Sequence, residues 1–300
     1  MEYIKRAASD PQADDLEVRE RVAGMLAGIE AQGEEAVRRY ARDLDGWHGD
    51  FVLADDKRKA LIASVPETQK DDIRFAWNQV HRFAEAQRDS LQAFEIETEP
   101  GVRLGQRIVP VNVTGCYVPG GRAVYPSTVL MTAVPARVAG VAEVVVMVPP
   151  GPDGKVPDVT LAAAAVAGVD EVLAIGGAQA IGAVAYGTET IRPVDVIVGP
   201  GNVFVALAKQ EVSGFVGVPS SFAGPSEVVV VADGSWPATF AAVDLILQAE
   251  HGPDGLAWFV TWNEDFADEV DAAIERLVAE APRQADIRST LDASGISVIC

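Results

Sequence analysis

Residues 111–150, "VNVTGCYVPGGRAVYPSTVLMTAVPARVAGVAEVVVMVPP", decide the fold. Two β-branched apolar runs, 111–118 and 144–148, bracket a glycine-rich turn and an alanine-bearing segment of helical length over about 127–139. Runs that are apolar on both faces suit a parallel sheet covered by helices, because an open antiparallel sheet alternates polar and apolar positions. The pattern continues with strands expected at 172–175 and 194–198 and helices at about 158–167, 178–186 and 202–212. A second series follows: strand 228–231, helix 236–250, strand 256–262, helix 264–280, a short helix near 285–293, and strand 296–300. The repeated units share shape but no fixed sequence period, which argues against a solenoid.

Upstream, residues 1 to about 93 read as helical. Leu16, Val22, Met25, Leu26 and Ile29 recur at helical spacing until Gly33 interrupts them. A long helix is expected from Glu67 to Ser90, with Ile73, Trp77, Val80 and Phe83 on one face and His81 beside it in a packing or surface role. "FEIETEPGVRLGQRIVPV" then alternates around Pro100-Gly101 as a β-hairpin. The fold class expected is therefore α/β, with two Rossmann-like parallel-sheet domains and a helical N-terminal region. The expected division is an arm at 1–14, a discontinuous α/β domain from 15–115 and 227–300, and an inserted α/β domain at 116–226. The last strand, "ISVIC", has no helix after it to cover it, which suggests that more chain follows.

A formal charge of -20 argues against a nucleic-acid partner, since phosphate binding needs clustered Lys and Arg. No apolar run approaches the roughly 18 residues that span a bilayer, and the N-terminus lacks a signal-peptide core. Two cysteines, Cys116 and Cys300, cannot build a disulfide framework, so a cytoplasmic location is expected.

Chemistry gathers at the glycine turns and at one helix end. "GCYVPGGRAVYPS", "IGGAQAIG" and "VGPGNVF" end successive strands, where ligands bind in open α/β sheets and where the next helix offers free N–H groups to an anion. Tyr117, Gln179 and Asn202 are the side chains there able to hydrogen-bond a ligand. "GPGNVF" lacks the third glycine of G-x-G-x-x-G, and no G-K-[ST] occurs, so the spacing names no ligand. "FAGPSEVVVVAD" places Ser226 at the mouth of a strand without the G-x-S-x-G elbow of a nucleophile.

"LILQAEHGPDG", 245–255, ends a helix with Ser235 expected as its N-cap and Phe240, Val243, Ile246 and Leu247 on its buried face. Asp244, Gln248 and His251 share another face at i, i+4 and i+7. Gln248 and His251 could reach one zinc ion; His251 could equally be a C-terminal residue set against the helix dipole.

In order and spacing, "GCYVPGGRAVYPSTVLMTAVPARVAG", "GGAQAIGAVAYGTE", "VDVIVGPGNVFVALAK", "AGPSEVVVVAD" and "DLILQAEHGPD" resemble the histidinol dehydrogenase family, over roughly residues 100–260. The resemblance implies a zinc-containing, homodimeric enzyme that oxidises L-histidinol through the aldehyde to L-histidine with two NAD molecules. Under it, Tyr117, Gln179 and Asn202 match NAD contacts. Ser226, Gln248 and His251 match contacts to the small amino-alcohol substrate, and Gln248 and His251 match two zinc ligands. The family's Glu-His pair for proton transfer, and a further Asp and His on zinc, lie beyond the point matching Cys300. The resemblance therefore implies a chain that is part of a longer protein, with half a zinc site, no general base and little turnover. One departure stands near the substrate side: the family's I-D-x-x-A-G-P reads "PSSFAGP", with Ser220 in place of Asp. Two alternatives stay open, a paralogue oxidising another small polar alcohol and a non-catalytic module.

Overall fold

The computed structural model describes residues 2–3, 16–120, 123–151, 154–220, 226–252 and 255–300. Contacts divide the chain into two compact units, Asp15–Ala223 and Gly224–Cys300 with Met1–Asp14.

The larger unit opens with helices α1 (Leu16–Gln32), α2 (Glu34–Asp45), α3 (Asp55–Ser64) and α4 (Glu67–Asp89). The hairpin β2 (Phe94–Glu99) and β3 (Val102–Gln106) follows, exposed along both strands. Next come β4 (Val113–Tyr117), α5 (Pro126–Val138), β5 (Glu143–Val148), α6 (Asp158–Val166), β6 (Glu171–Ala174), α7 (Gly177–Tyr186), β7 (Val196–Val198) and α8 (Val203–Glu211). β4–β7 form one parallel sheet in the order β6-β5-β4-β7. Chain direction across the sheet reverses between β4 and β7, so the crevice outside their carboxyl ends is the place for a ligand.

Alternation along the strands explains the layering. Val145 and Met147 face α7, together with Val22, Leu26 and Ile29 of α1 and Val37 of α2. Val144, Val146 and Val148 face α5 and α6, backed by Ile73, Trp77 and Val80 of α4. The N-terminal helices are thus an outer cover on both faces of this sheet. That is why 15–115 groups with 116–223, a division different from the expected pairing of 15–115 with 227–300. Phe83, expected on one face with Ile73, Trp77 and Val80, is exposed, while His81 stacks on Trp77 at 4.5 Å.

The smaller unit runs β8 (Glu227–Val231), α9 (Ala238–Ala249), β9 (Leu256–Thr261), α10 (Glu264–Glu280), α11 (Gln284–Ser294) and β10 (Gly295–Ile299). These three strands are parallel, and β1 (Glu2–Tyr3) joins the edge antiparallel to β10, which pins the start of the expected arm. Leu245, Ala257, Phe259, Phe266 and Val270 form its core. Among the described residues no helix is long and apolar enough to cross a membrane.

Candidate functional site

Tyr117 ends β4, buried, and its phenol oxygen accepts the Gly177 N–H at 3.0 Å. Burial pushes this phenol up to about 12, with a smaller contribution from the nearby Asp45 carboxylate. Gln179 sits in the first turn of α7, also buried, and its Nε2 donates to Asp45 Oδ2 at 2.8 Å. Its Oε1 is buried too, and accepts no hydrogen bond. A carbonyl in that state calls for a donor, since leaving it unmatched costs about 1–3 kcal/mol. Asp45 closes α2 as an exposed residue with its carboxylate turned onto Gln179, and desolvation raises its pKa against the lowering effect of that hydrogen bond.

Asn202 caps α8, accepting the Val205 N–H at 3.2 Å, in the turn after β7. Buried Lys209, in the last turn of the same helix, donates to Gly199 O at 3.0 Å, and desolvation lowers its pKa. The structure therefore gathers Tyr117 and Gln179 through Gly177, and sets Asn202 at the end of a neighbouring strand of the same sheet.

The glycine turns earn a different reason from the one expected. A Cβ on Gly199, whose φ is +103°, would stand 2.1 Å from Tyr117 O. One on Gly176 would stand 2.5 Å from Pro149 Cβ, and one on Gly120 2.6 Å from Pro149 Cγ. Close approach of chain to chain demands these glycines, before any ligand does. Asp45 and Lys209 escaped the sequence reading: Asp45 is 134 positions from Gln179, and nothing local marks Lys209 as buried.

In the smaller unit, Gln248 is buried on the last turn of α9 and donates from Nε2 to Ser226 O at 2.7 Å. His251 is exposed just past the helix, with Nδ1 2.7 Å from Leu247 O. A carbonyl only accepts, so Nδ1 carries the proton and Nε2 keeps its lone pair. The bond also satisfies one of the carbonyls that a helix C-terminus leaves open. Each side chain is thus held by a nitrogen that donates, leaving Gln248 Oε1 and His251 Nε2 as acceptors. An amide oxygen and an imidazole nitrogen are atoms of the kind that can ligate a metal ion, and each side chain here is held through its donating nitrogen. Asp244 is exposed and one turn earlier, and among the described residues no three His, Cys, Asp or Glu gather as a metal cluster.

Two expectations about α9 are corrected. The helix starts at Ala238 with Pro237 at its cap position, and Ser235 lies in the turn before it, its N–H donating to Asp233 Oδ1 at 2.8 Å. Its buried face is Ala241, Ala242, Leu245, Gln248 and Ala249, while Phe240, Val243 and Leu247 are exposed. Small alanines let the helix lie close to the sheet, and the larger side chains point away.

Strand order, layering and polar groups at the strand ends are those of a doubly wound α/β protein, a class in which ligands bind at the topological switch point. The histidinol dehydrogenase family model matches residues 8–300. Histidinol dehydrogenase of Neisseria meningitidis is 41% identical over 300 residues, covering 99% of this chain and 69% of that protein. A histidinol dehydrogenase homolog of Shouchella clausii is 44% identical over 284 residues, covering 94% and 66%. The crystal structure of histidinol dehydrogenase from Elizabethkingia anophelis superposes with a TM-score of 0.89 at 32% identity, covering 98% of this chain and 67% of that one. The chain belongs to the histidinol dehydrogenase family, and spans about two thirds of the length of these relatives.

Proposed function

We propose that this chain carries the cofactor-binding part and half of the metal-binding part of an NAD-dependent, zinc-containing dehydrogenase that oxidises L-histidinol to L-histidine through the aldehyde. The observation that carries this reading is the family match over residues 8–300. Two features of the geometry support it. Buried Gln179 Oε1 lacks a donor, as expected of a group that receives a ribose hydroxyl or a carboxamide N–H. Gln248 Oε1 and His251 Nε2 remain as acceptors one helical turn apart.

In this reading NAD would supply the hydride acceptor for each oxidation, a proton would be released each time, and a water would enter at the aldehyde stage. Zinc, held by Gln248 and His251, would supply a Lewis-acid anchor for the substrate. Tyr117, Gln179 and Asn202 would bind the dinucleotide, and Ser226, Gln248 and His251 would bind the substrate. NAD is tested by calorimetric titration of the chain, with Gln179→Ala as the variant expected to weaken binding about tenfold, roughly the loss of one buried hydrogen bond. Zinc is tested by elemental analysis, and content unchanged in both Gln248→Ala and His251→Ala refutes the metal assignment.

A second reading rests on Ser220, an exposed residue where the family has Asp. It makes the chain part of a paralogue that oxidises another small polar alcohol. A longer protein containing these residues, supplied with NAD, separates the two: NADH formed from L-histidinol supports the first, and NADH formed only from another diol supports the second.

A further inference from the structure

We propose that Asp45 is a positioning residue of the cofactor site: its carboxylate fixes which end of the Gln179 amide is offered to the dinucleotide. The proposal rests on the reading of Gln179 as a cofactor contact.

Asp45 is out of place by local rules. It is the last residue of α2, where exposed carbonyls disfavour a carboxylate, and Gly46 follows at φ 62° to end the helix. Its carboxylate instead meets Gln179 Nε2 at 2.8 Å, across 134 residues of sequence. Features that break a local rule are expected where function requires them.

The two ends of a glutamine amide have nearly the same shape, so packing alone does not choose between them. A carboxylate accepts and cannot donate, and therefore selects the NH₂ group. Oε1 is then forced to the opposite side, where it is buried and unmatched. The neighbouring donor cannot serve it, because Gly177 N–H is given to Tyr117 at 3.0 Å. A Cβ on Gly177 would lie 2.5 Å from Oε1, so glycine at that position keeps the space beside the oxygen clear. The outcome is an acceptor of defined polarity, set for a hydroxyl or amide N–H of the ligand. Without the carboxylate the amide is free to turn over and present a donor there.

The test is a double-mutant cycle on NAD affinity, by calorimetry, with thermal midpoints recorded for every variant. Asp45→Ala is expected to weaken NAD about tenfold with Gln179 present, and not at all in the Gln179→Ala background. Asp45→Asn keeps an acceptor but adds a donor, so it is expected to weaken NAD about threefold, again only when Gln179 is present. This pair carries the test if the alanine variant does not fold. Binding within about twofold of the parent for both Asp45 variants, while Gln179→Ala loses tenfold, overturns the positioning role and leaves the cofactor reading standing. Equal affinity in Gln179→Ala as well overturns both. Equal losses from the Asp45 changes with and without Gln179 also overturn the proposal, because a purely structural carboxylate gives additive effects.

Discussion

Gln179 and Gln248 are both buried glutamines on helices of α/β units, yet they are anchored differently. Gln179 stands in the first turn of α7 and is held by the side chain of Asp45; Gln248 stands in the last turn of α9 and is held by the main-chain oxygen of Ser226. A side-chain anchor can be removed by one substitution, whereas a main-chain anchor survives any side-chain change at its residue. Their surroundings differ as well. Around Gln179, Tyr117 and Gly177 are tied together at the strand ends. Around Gln248 the neighbouring His251 is exposed, and the outer face of α9 shows Phe240, Val243 and Leu247. The first environment is complete but for one acceptor; the second is built with open positions.

The comparison breaks first at Gly199, whose added Cβ would meet Tyr117 O at 2.1 Å with φ at +103°. Gly199→Ala is expected to destabilise by about 3 kcal/mol or more, as strain and overpacking add. Gly214→Ala, where a Cβ meets nothing within 4 Å, is expected to stay within about 0.5 kcal/mol. Urea unfolding of the two variants measures the difference, and similar losses would contradict the close approach. The next effect is on α9. Leu245→Ala is expected to cost about 2–4 kcal/mol, since Leu245 lies in the core of the smaller unit. Leu247→Ala, at an exposed position, is expected to cost about 0.5 kcal/mol or less. The reverse order would restore the face first read from sequence.

That reversal shows where the sequence is legible. The strands of residues 113–117, 144–148 and 172–174 were readable because apolar residues on both faces admit few alternatives to a covered parallel sheet. The period of α9 was readable, but its orientation was not: Phe240, Val243 and Leu247 form as good an apolar stripe as Ala241, Ala242, Leu245 and Ala249. Close packing favoured the side with alanines, which periodicity weighs least. At the site, Tyr117, Gln179 and Asn202 were legible as polar groups at strand ends, and the structure ties the first two together through Gly177. The part played by Asp45 was hidden, because a contact across 134 residues leaves no local pattern.

Alkali sharpens the description of the larger unit. With its phenol pushed up to about 12 by burial, Tyr117 holds its proton more tightly folded than unfolded, where a tyrosine titrates at about 10. A group raised in this way contributes stability that is fully present below about pH 10 and lost as pH rises to about 12, amounting to roughly 2–3 kcal/mol. Tyr117→Phe removes this loss, so its stability should fall less steeply than the parent's across that window. The comparison is made by denaturant unfolding at stepped pH, and identical slopes would refute the buried, un-ionised phenol.

The smallest effect expected is the most specific to the smaller unit. Ser226→Ala removes a hydroxyl from an exposed residue and keeps the carbonyl that receives Gln248 Nε2. Stability should change by less than about 0.5 kcal/mol, and zinc retained by the purified chain should not change. His251→Ala removes the donor to Leu247 O along with the free Nε2, so it should cost about 0.5–1.5 kcal/mol, the net worth of one hydrogen bond, and should lower zinc content. If Ser226→Ala lowers zinc as far as His251→Ala does, then the hydroxyl, and not the main-chain anchor, organises this helix end. The contrast between the two glutamines would then vanish, because each would depend on a side chain that one substitution removes.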